Sequence, residues 1–129
     1  IGAAVGTGRK AAVIQGDGGF MLNIAELSTA AQYRAPVVVC VFNDGGYGVL
    51  RSIEGRTFEG RQFGVDLHTP DFVAVAKGMG VDAERVSSAG AFRDAFARGI
   101  AHDGPYLIDI EATRLSPMGG LGSPPPRRA

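Results

Sequence analysis

Apolar residues along this chain come in two rhythms. Unbroken runs at Ala11-Ala12-Val13-Ile14 and Val37-Val38-Val39-Cys40-Val41-Phe42 read as strands buried on both faces. A third strand is expected at Pro105–Glu111, where Tyr106, Ile108 and Ile110 alternate with Leu107 and Asp109, and a short fourth at Asp82–Val86. Between these runs the spacing turns helical. Leu22 to Tyr33 reads as one helix, and Val49, Leu50 and Ile53 predict another beginning at Tyr47. Phe72, Val75, Ala76 and Met79 make an apolar stripe closed by Gly78 and Gly80, and Thr69-Pro70-Asp71 reads as its start, with Thr as cap and Pro in the first turn. Ser88 caps a further helix whose stripe is Phe92, Ala95, Phe96, Gly99 and Ile100. Ile1–Gly6 resembles the middle of a small-residue helix, and Gly55–Val65 has no period and is expected to be a loop. Strands alternating with helices predict an α/β fold, three layers in the order αβα, with a mainly parallel sheet.

Composition narrows the picture. A chain of 129 residues that is 45% hydrophobic fits one globular domain, expected over residues 1–115. Residues 116–129, rich in Gly and Pro and carrying Pro124-Pro125-Pro126-Arg127-Arg128, are expected to form a flexible tail with polyproline character. Thirteen basic and thirteen acidic residues cancel, so no nucleic-acid or membrane partner is expected, and no apolar run approaches a membrane span. Ile1 is not a start methionine and no signal peptide is visible, so the chain is expected to be the carboxyl-terminal piece of something longer. The single cysteine, Cys40, lies inside an apolar strand with nothing cationic beside it; it reads as a structural thiol and suits the cytoplasm.

Chemistry concentrates in two clusters, each directly following an apolar run: Gly16-Asp17-Gly18-Gly19-Phe20 and Asn43-Asp44-Gly45-Gly46-Tyr47-Gly48. A strand–helix–strand unit of this length is a right-handed parallel crossover, which brings both clusters to one sheet edge, where such folds bind ligands. Two aspartates and a backbone carbonyl suit a hard divalent ion such as magnesium. Gly18 and Gly19 leave amides accessible to an anion at the start of a helix. Gly16-Asp17-Gly18 alone reads more readily as a tight turn; the pair together reverses that and favours a metal–diphosphate site.

The stretch Gly16-Asp17-Gly18-Gly19-Phe20-Met21-Leu22-Asn23-Ile24-Ala25-Glu26-Leu27, followed by Pro36 and by Asn43-Asp44-Gly45-Gly46-Tyr47-Gly48, resembles thiamine-diphosphate-dependent enzymes of the acetolactate synthase and benzoylformate decarboxylase type. The resemblance implies a thiamine-diphosphate-binding fold and the carboxyl-terminal, diphosphate-binding domain of such an enzyme. It implies Asp17, Asp44 and the Gly46 carbonyl as magnesium ligands, with Gly18, Gly19 and the Tyr47 amide on the diphosphate. Where the family usually has a second asparagine this chain has Asp44; Asn43 matches the first, which is not normally the ligand. Val49 and Ile53 match substrate-pocket positions and read equally as core positions of their helix.

The implied reaction is decarboxylation of a small 2-oxo acid, with or without carboligation, a lyase or transferase chemistry carried by the cofactor. The implied partner is the pyrimidine-binding domain of a neighbouring subunit, which supplies the activating glutamate, in a homo-oligomer. Glu26, Glu54, Glu59, Glu84 and Glu111 occupy ordinary positions, so this chain is expected to hold half a site and to be inactive alone. A non-catalytic binding or assembly domain of the same fold is the alternative. A nucleotide binder lacks the G-x-G-x-x-G fingerprint. His68 and His102 read as surface or capping residues, and Arg51, Arg56 and Arg61 as solvated.

Overall fold

The computed structural model describes residues 1–115, and the apolar runs become strands there: β1 (Ala11–Gly16), β2 (Val37–Asn43), β3 (Asp82–Val86) and β4 (Tyr106–Glu111). They form a parallel sheet in the order β1-β2-β4-β3. β2 lies between two neighbours, so Val37 to Val41 are buried without interruption. Each such valine contributes about 1.5 kcal/mol or more relative to exposure, which makes this strand a strong anchor of the sheet.

Side chains alternate across the sheet and build two cores. On one face Val37, Val39, Val41 and Leu107 pack with Phe20, Leu27, Ala30, Phe72 and Ala76. On the other, Val38, Cys40, Ile108 and Ile110 pack with Ala95 and the half-buried Phe92 and Phe96. The first face is covered by α1 (Gly2–Thr7), α2 (Asp17–Met21), α3 (Glu26–Gln32) and α5 (Phe72–Gly78), the second by α6 (Ala89–Ala101). This is the expected three-layer αβα arrangement. Phe20 and Phe72 meet edge to face at 5.3 Å, joining the helix after β1 to the helix before β3.

Several boundaries differ from the sequence expectation. The helix expected at Leu22–Tyr33 is two pieces. It starts early, at Asp17, and between Leu22 and Ser28 the chain tightens into bonds reaching back three residues rather than four, from Leu22 to Gly19, Asn23 to Phe20, Glu26 to Asn23, Leu27 to Ile24 and Ser28 to Ala25. α4 runs Gly48–Thr57, continuing through Gly55 into the stretch expected to be loop. The cap of α5 is Asp71, whose Oδ1 accepts from the amides of Val73 (3.0 Å) and Ala74 (3.1 Å), and not Thr69. Only Asp71 is positioned to receive both first-turn donors. Ser88 caps α6 as expected, its Oγ accepting from Ala91. Ile100 falls off the buried stripe and is exposed, while Gly99 lets α6 approach Val38 and Tyr106 closely. The expected tail at residues 116–129 lies outside the described residues.

Candidate functional site

β1 and β2 are adjacent and parallel, with Gly16 beside Phe42, so the two glycine clusters leave the sheet at the same edge. Asp17 is the hinge between them. It is buried, 1% exposed. Its Oδ2 accepts from the amides of Gly45 (2.7 Å) and Gly46 (3.0 Å), and its Oδ1 from the amide of Gly18 (2.8 Å). A carboxylate has about four acceptor directions, and these bonds take three. The first cluster thus holds the second through one side chain.

A second set of bonds holds the other side of the turn. The Tyr47 amide donates to the Val65 carbonyl (2.8 Å) and the Leu67 amide to the Gly45 carbonyl (3.0 Å), an isolated antiparallel bridge centred on Gly46 and Asp66. The carbonyl of Gly46 takes no part in these bonds. Gly45 has a positive φ of 75°, which glycine adopts without strain. A β-carbon at Gly46 would collide with the Val65 carbonyl and the Arg51 guanidinium, and one at Gly18 would stand 2.5 Å from the Tyr47 ring. These glycines are therefore fixed by close packing between the clusters.

The cleft that results has a volume of about 190 Å³ and is lined by Gly16 to Gly19 and by Gly46 to Leu50. Asp17, Gly18, Gly19, Gly46, Tyr47 and Val49 of the sequence-derived set all line it; Asp44 and Ile53 do not. Gly19 has open space where a side chain would stand. Asp44 folds over Gly48, its Oδ2 3.7 Å from Nη1 of Arg51. Asn43 turns away to the sheet: its Nδ2 donates to Asp109 Oδ1 (3.2 Å) and its Oδ1 accepts from Gly45 (3.3 Å). Because α2 has five residues, its dipole is that of little more than one turn.

Arg51 corrects the sequence reading most sharply. It is buried, 3% exposed, while Arg56 and Arg61 are exposed as expected. Its Nε donates to Asp66 Oδ1 (2.9 Å), its Nη2 lies 2.8 Å from the same oxygen, and its backbone amide donates to the Tyr47 carbonyl. The sequence carried one hint: Arg51 falls three and four residues after Gly48 and Tyr47, on the helix face that meets the cluster.

A further polar chain was not visible in sequence. Fully buried Asp109 receives Nε of Arg85 at 2.8 Å, and Nη2 of Arg85 also reaches Asp71 at 3.0 Å. The bond to Asp109 holds the guanidinium above its ordinary value against the opposing effect of burial. The α5 cap is thereby connected, through Arg85, Asp109 and Asn43, to the turn at Gly45. The Asp71 carboxyl is pulled below its usual range, chiefly by the Ala74 amide.

His68 is exposed, and His102 lies at the opposite, amino edge of the sheet, 3.5 Å from Asp82. Burial pushes the Cys40 thiol up, which keeps it inert. Among the described residues no group of three or more His, Cys, Asp or Glu side chains is gathered around a potential metal position, and no helix is long and apolar enough to cross a membrane. The available donors at the cleft are oxygens and main-chain amides. Oxygen donors suit a hard cation, and amides suit an anion.

Comparison with known proteins agrees with this geometry. Residues 1–110 match the family described as thiamine pyrophosphate enzyme, C-terminal TPP binding domain. The chain is 36% identical over 118 residues to a probable acetolactate synthase large subunit of Methanococcus aeolicus, covering 91% of this chain and 19% of that protein. It is 33% identical over 118 residues to benzoylformate decarboxylase of Pseudomonas aeruginosa, covering 91% of this chain and 22% of the relative. The fold superposes on a solved thiamine diphosphate-dependent 4-hydroxybenzoylformate decarboxylase of Rhodococcus jostii RHA1 with a TM-score of 0.77 at 35% identity, over 87% of this chain and 22% of that one. The chain thus spans about a fifth of the length of these proteins. Fold, clusters and comparisons converge: the chain belongs to the family of C-terminal, thiamine-pyrophosphate-binding domains of thiamine pyrophosphate enzymes.

Proposed function

We propose that this chain is the magnesium- and diphosphate-binding domain of an enzyme that decarboxylates a small 2-oxo acid, with or without ligation of the product to a second carbonyl compound. The observation that carries the reading is Asp17: one buried carboxylate at the end of β1 organises the turn after β2 and still faces the cleft. The residues fit the metal. Asp17 keeps an acceptor direction and lines the cleft together with Gly46, whose carbonyl would be the main-chain ligand, while Asp44, folded over Gly48 toward Arg51, would have to turn toward the cleft to add its carboxylate. Gly19 offers close main-chain approach to a diphosphate, and the Gly18 amide, given to Asp17 Oδ1, would have to share that bond. The Tyr47 amide is given to Val65, so a phosphate contact there would share or replace that bond.

Thiamine diphosphate, when bound, supplies the carbanion stabilisation that the reaction requires. The chain's own part is to bind and orient it and to neutralise its charge. Val49 lines the cleft and would meet substrate, while Ile53 stands one turn further along α4. No glutamate lines the cleft: Glu54 accepts from the Phe63 amide, and Glu84 is held by Arg98 and Tyr106. A pyrimidine-binding domain of a neighbouring subunit in a homo-oligomer would supply the activating group. Exposed Met21, Leu22, Val49, Leu50 and Ile53, in α2, α4 and the turn after α2, support such a covered surface. A cytoplasmic enzyme suits the free, inert Cys40.

Calorimetric titration of the intact enzyme with thiamine diphosphate, with and without magnesium chloride, tests the reading. Binding that requires magnesium and disappears in Asp17→Ala is the expected result. Unchanged affinity in a folded Asp17→Ala protein would overturn it.

A further inference from the structure

Among the described residues three charged side chains are buried: Asp17, Asp109 and Arg51. Asp17 organises the turn and Asp109 is matched by Arg85, which leaves Arg51 to be explained. A guanidinium withdrawn from water must be paired and hydrogen-bonded to persist there. Arg51 meets that need with two separate pieces of chain. Its Nε and Nη2 take Asp66 from the loop after α4, its Nη2 lies 3.4 Å from the Gly45 carbonyl, and its Nη1 lies 3.7 Å from Asp44 Oδ2. Its own carbonyl accepts from Nε2 of Gln62 at 2.9 Å.

The two carboxylates on Arg51 are unequal. The Asp66 side chain is 55% exposed and would return to water if the guanidinium were lost, whereas that of Asp44 is 26% exposed and lies folded over Gly48. Asp44 also belongs to the turn whose Gly45 and Gly46 amides the Asp17 carboxylate holds, so Arg51 brings a positive charge to a turn that already carries one carboxylate and is held by another. With Arg51 present, three carboxylates and one guanidinium leave a local excess of two negative charges, the complement of one divalent ion.

We propose that Arg51 is a positioning residue for the cofactor site: it offsets the charge of Asp44 and fixes the turn Asp44–Tyr47, so that an aspartate at position 44 and an anionic diphosphate are tolerated together. The inference rests on the magnesium–diphosphate reading above and gives a role there to a residue that touches neither ion nor cofactor.

The test is a double-mutant cycle on the intact enzyme, using wild type, Arg51→Met, Asp44→Asn and the double variant. Each is titrated with thiamine diphosphate in magnesium chloride and melted without cofactor, so the cycle closes even in a background that has lost binding. Arg51→Met is expected to weaken binding tenfold or more in the wild-type background and about threefold or less in the Asp44→Asn background, with melting temperatures following the same order. Arg51→Lys, which keeps the charge, is expected to recover most of the loss. Equal penalties in both backgrounds, or no loss in Arg51→Met, would overturn the inference. If Arg51→Met does not fold, restoration of folding by Asp44→Asn supports it and continued failure overturns it. Asp17→Ala serves as the separate control: retained binding there defeats the magnesium reading itself, whatever Arg51 does.

Discussion

The two glycine clusters stand side by side but are built by different means. The first, Gly16 to Phe20, passes straight from the end of a strand into a helical turn, and its anchor Phe20 packs on Phe72. The second, Asn43 to Gly48, depends on what reaches it from elsewhere: Asp17 from the first cluster, Val65 and Leu67 from a distant loop, Arg51 from the following helix, and Asp109 from β4 through Asn43. One is largely a local structure and the other is a junction. A junction is rigid only when all its contributors are present, so damage should be far greater there for the same chemical change.

Alanine substitutions at glycine break or sharpen that contrast. Gly46→Ala forces a β-carbon into backbone and a buried guanidinium, neither free to move, and should cost at least about 3 kcal/mol in urea denaturation. A loss below about 1 kcal/mol would show the junction to be loose and the contrast mistaken. Gly18→Ala meets the Tyr47 ring, a side chain that can shift, and should cost about 1–3 kcal/mol. Acid probes the polar chain into the junction. The Asp71 carboxyl lies below its ordinary 3.8, so its stabilising contribution is fully present above that value and is lost as pH falls through the lower, folded one. Melting temperature should therefore drop in acid below about pH 4 less steeply in Asp71→Asn, which keeps a good cap while removing the charge. Identical acid profiles would remove Asp71 from the account. The smallest effect has the opposite sign. Gly19→Ala lies in a helical turn with open space around it and should stabilise the protein by up to about 1 kcal/mol. The same change narrows the cleft, so thiamine diphosphate titration should show weaker binding despite the higher melting temperature.

The same division explains what could be read from the chain. Strands with unbroken apolar runs, the stripe at Phe72 and Ala76, and the Ser88 cap are decided by neighbours in sequence, and each forms where expected. Both clusters were visible because glycine and aspartate after a strand are local signals. A helix opening at Gly18 and Gly19 was expected, but not its break after Met21; Gly18 is kept there for the close approach of the Tyr47 ring. Arg51 was misread because its partner Asp66 sits in an aperiodic loop, where neither spacing nor composition marks a contact. The substitution of Asp44 for the family's usual asparagine was visible, but the cation beside it depends on tertiary packing.

Cys40 has a practical consequence. It is the chain's single cysteine, lies midway along β2 and is enclosed on both faces of the sheet. A thiol so placed meets an alkylating reagent only when the central strand parts from its neighbours. Its labelling rate is then a stopwatch for opening of the sheet. Slower labelling when thiamine diphosphate is added would measure, at this one strand, how firmly a ligand at the edge grips the middle of the fold.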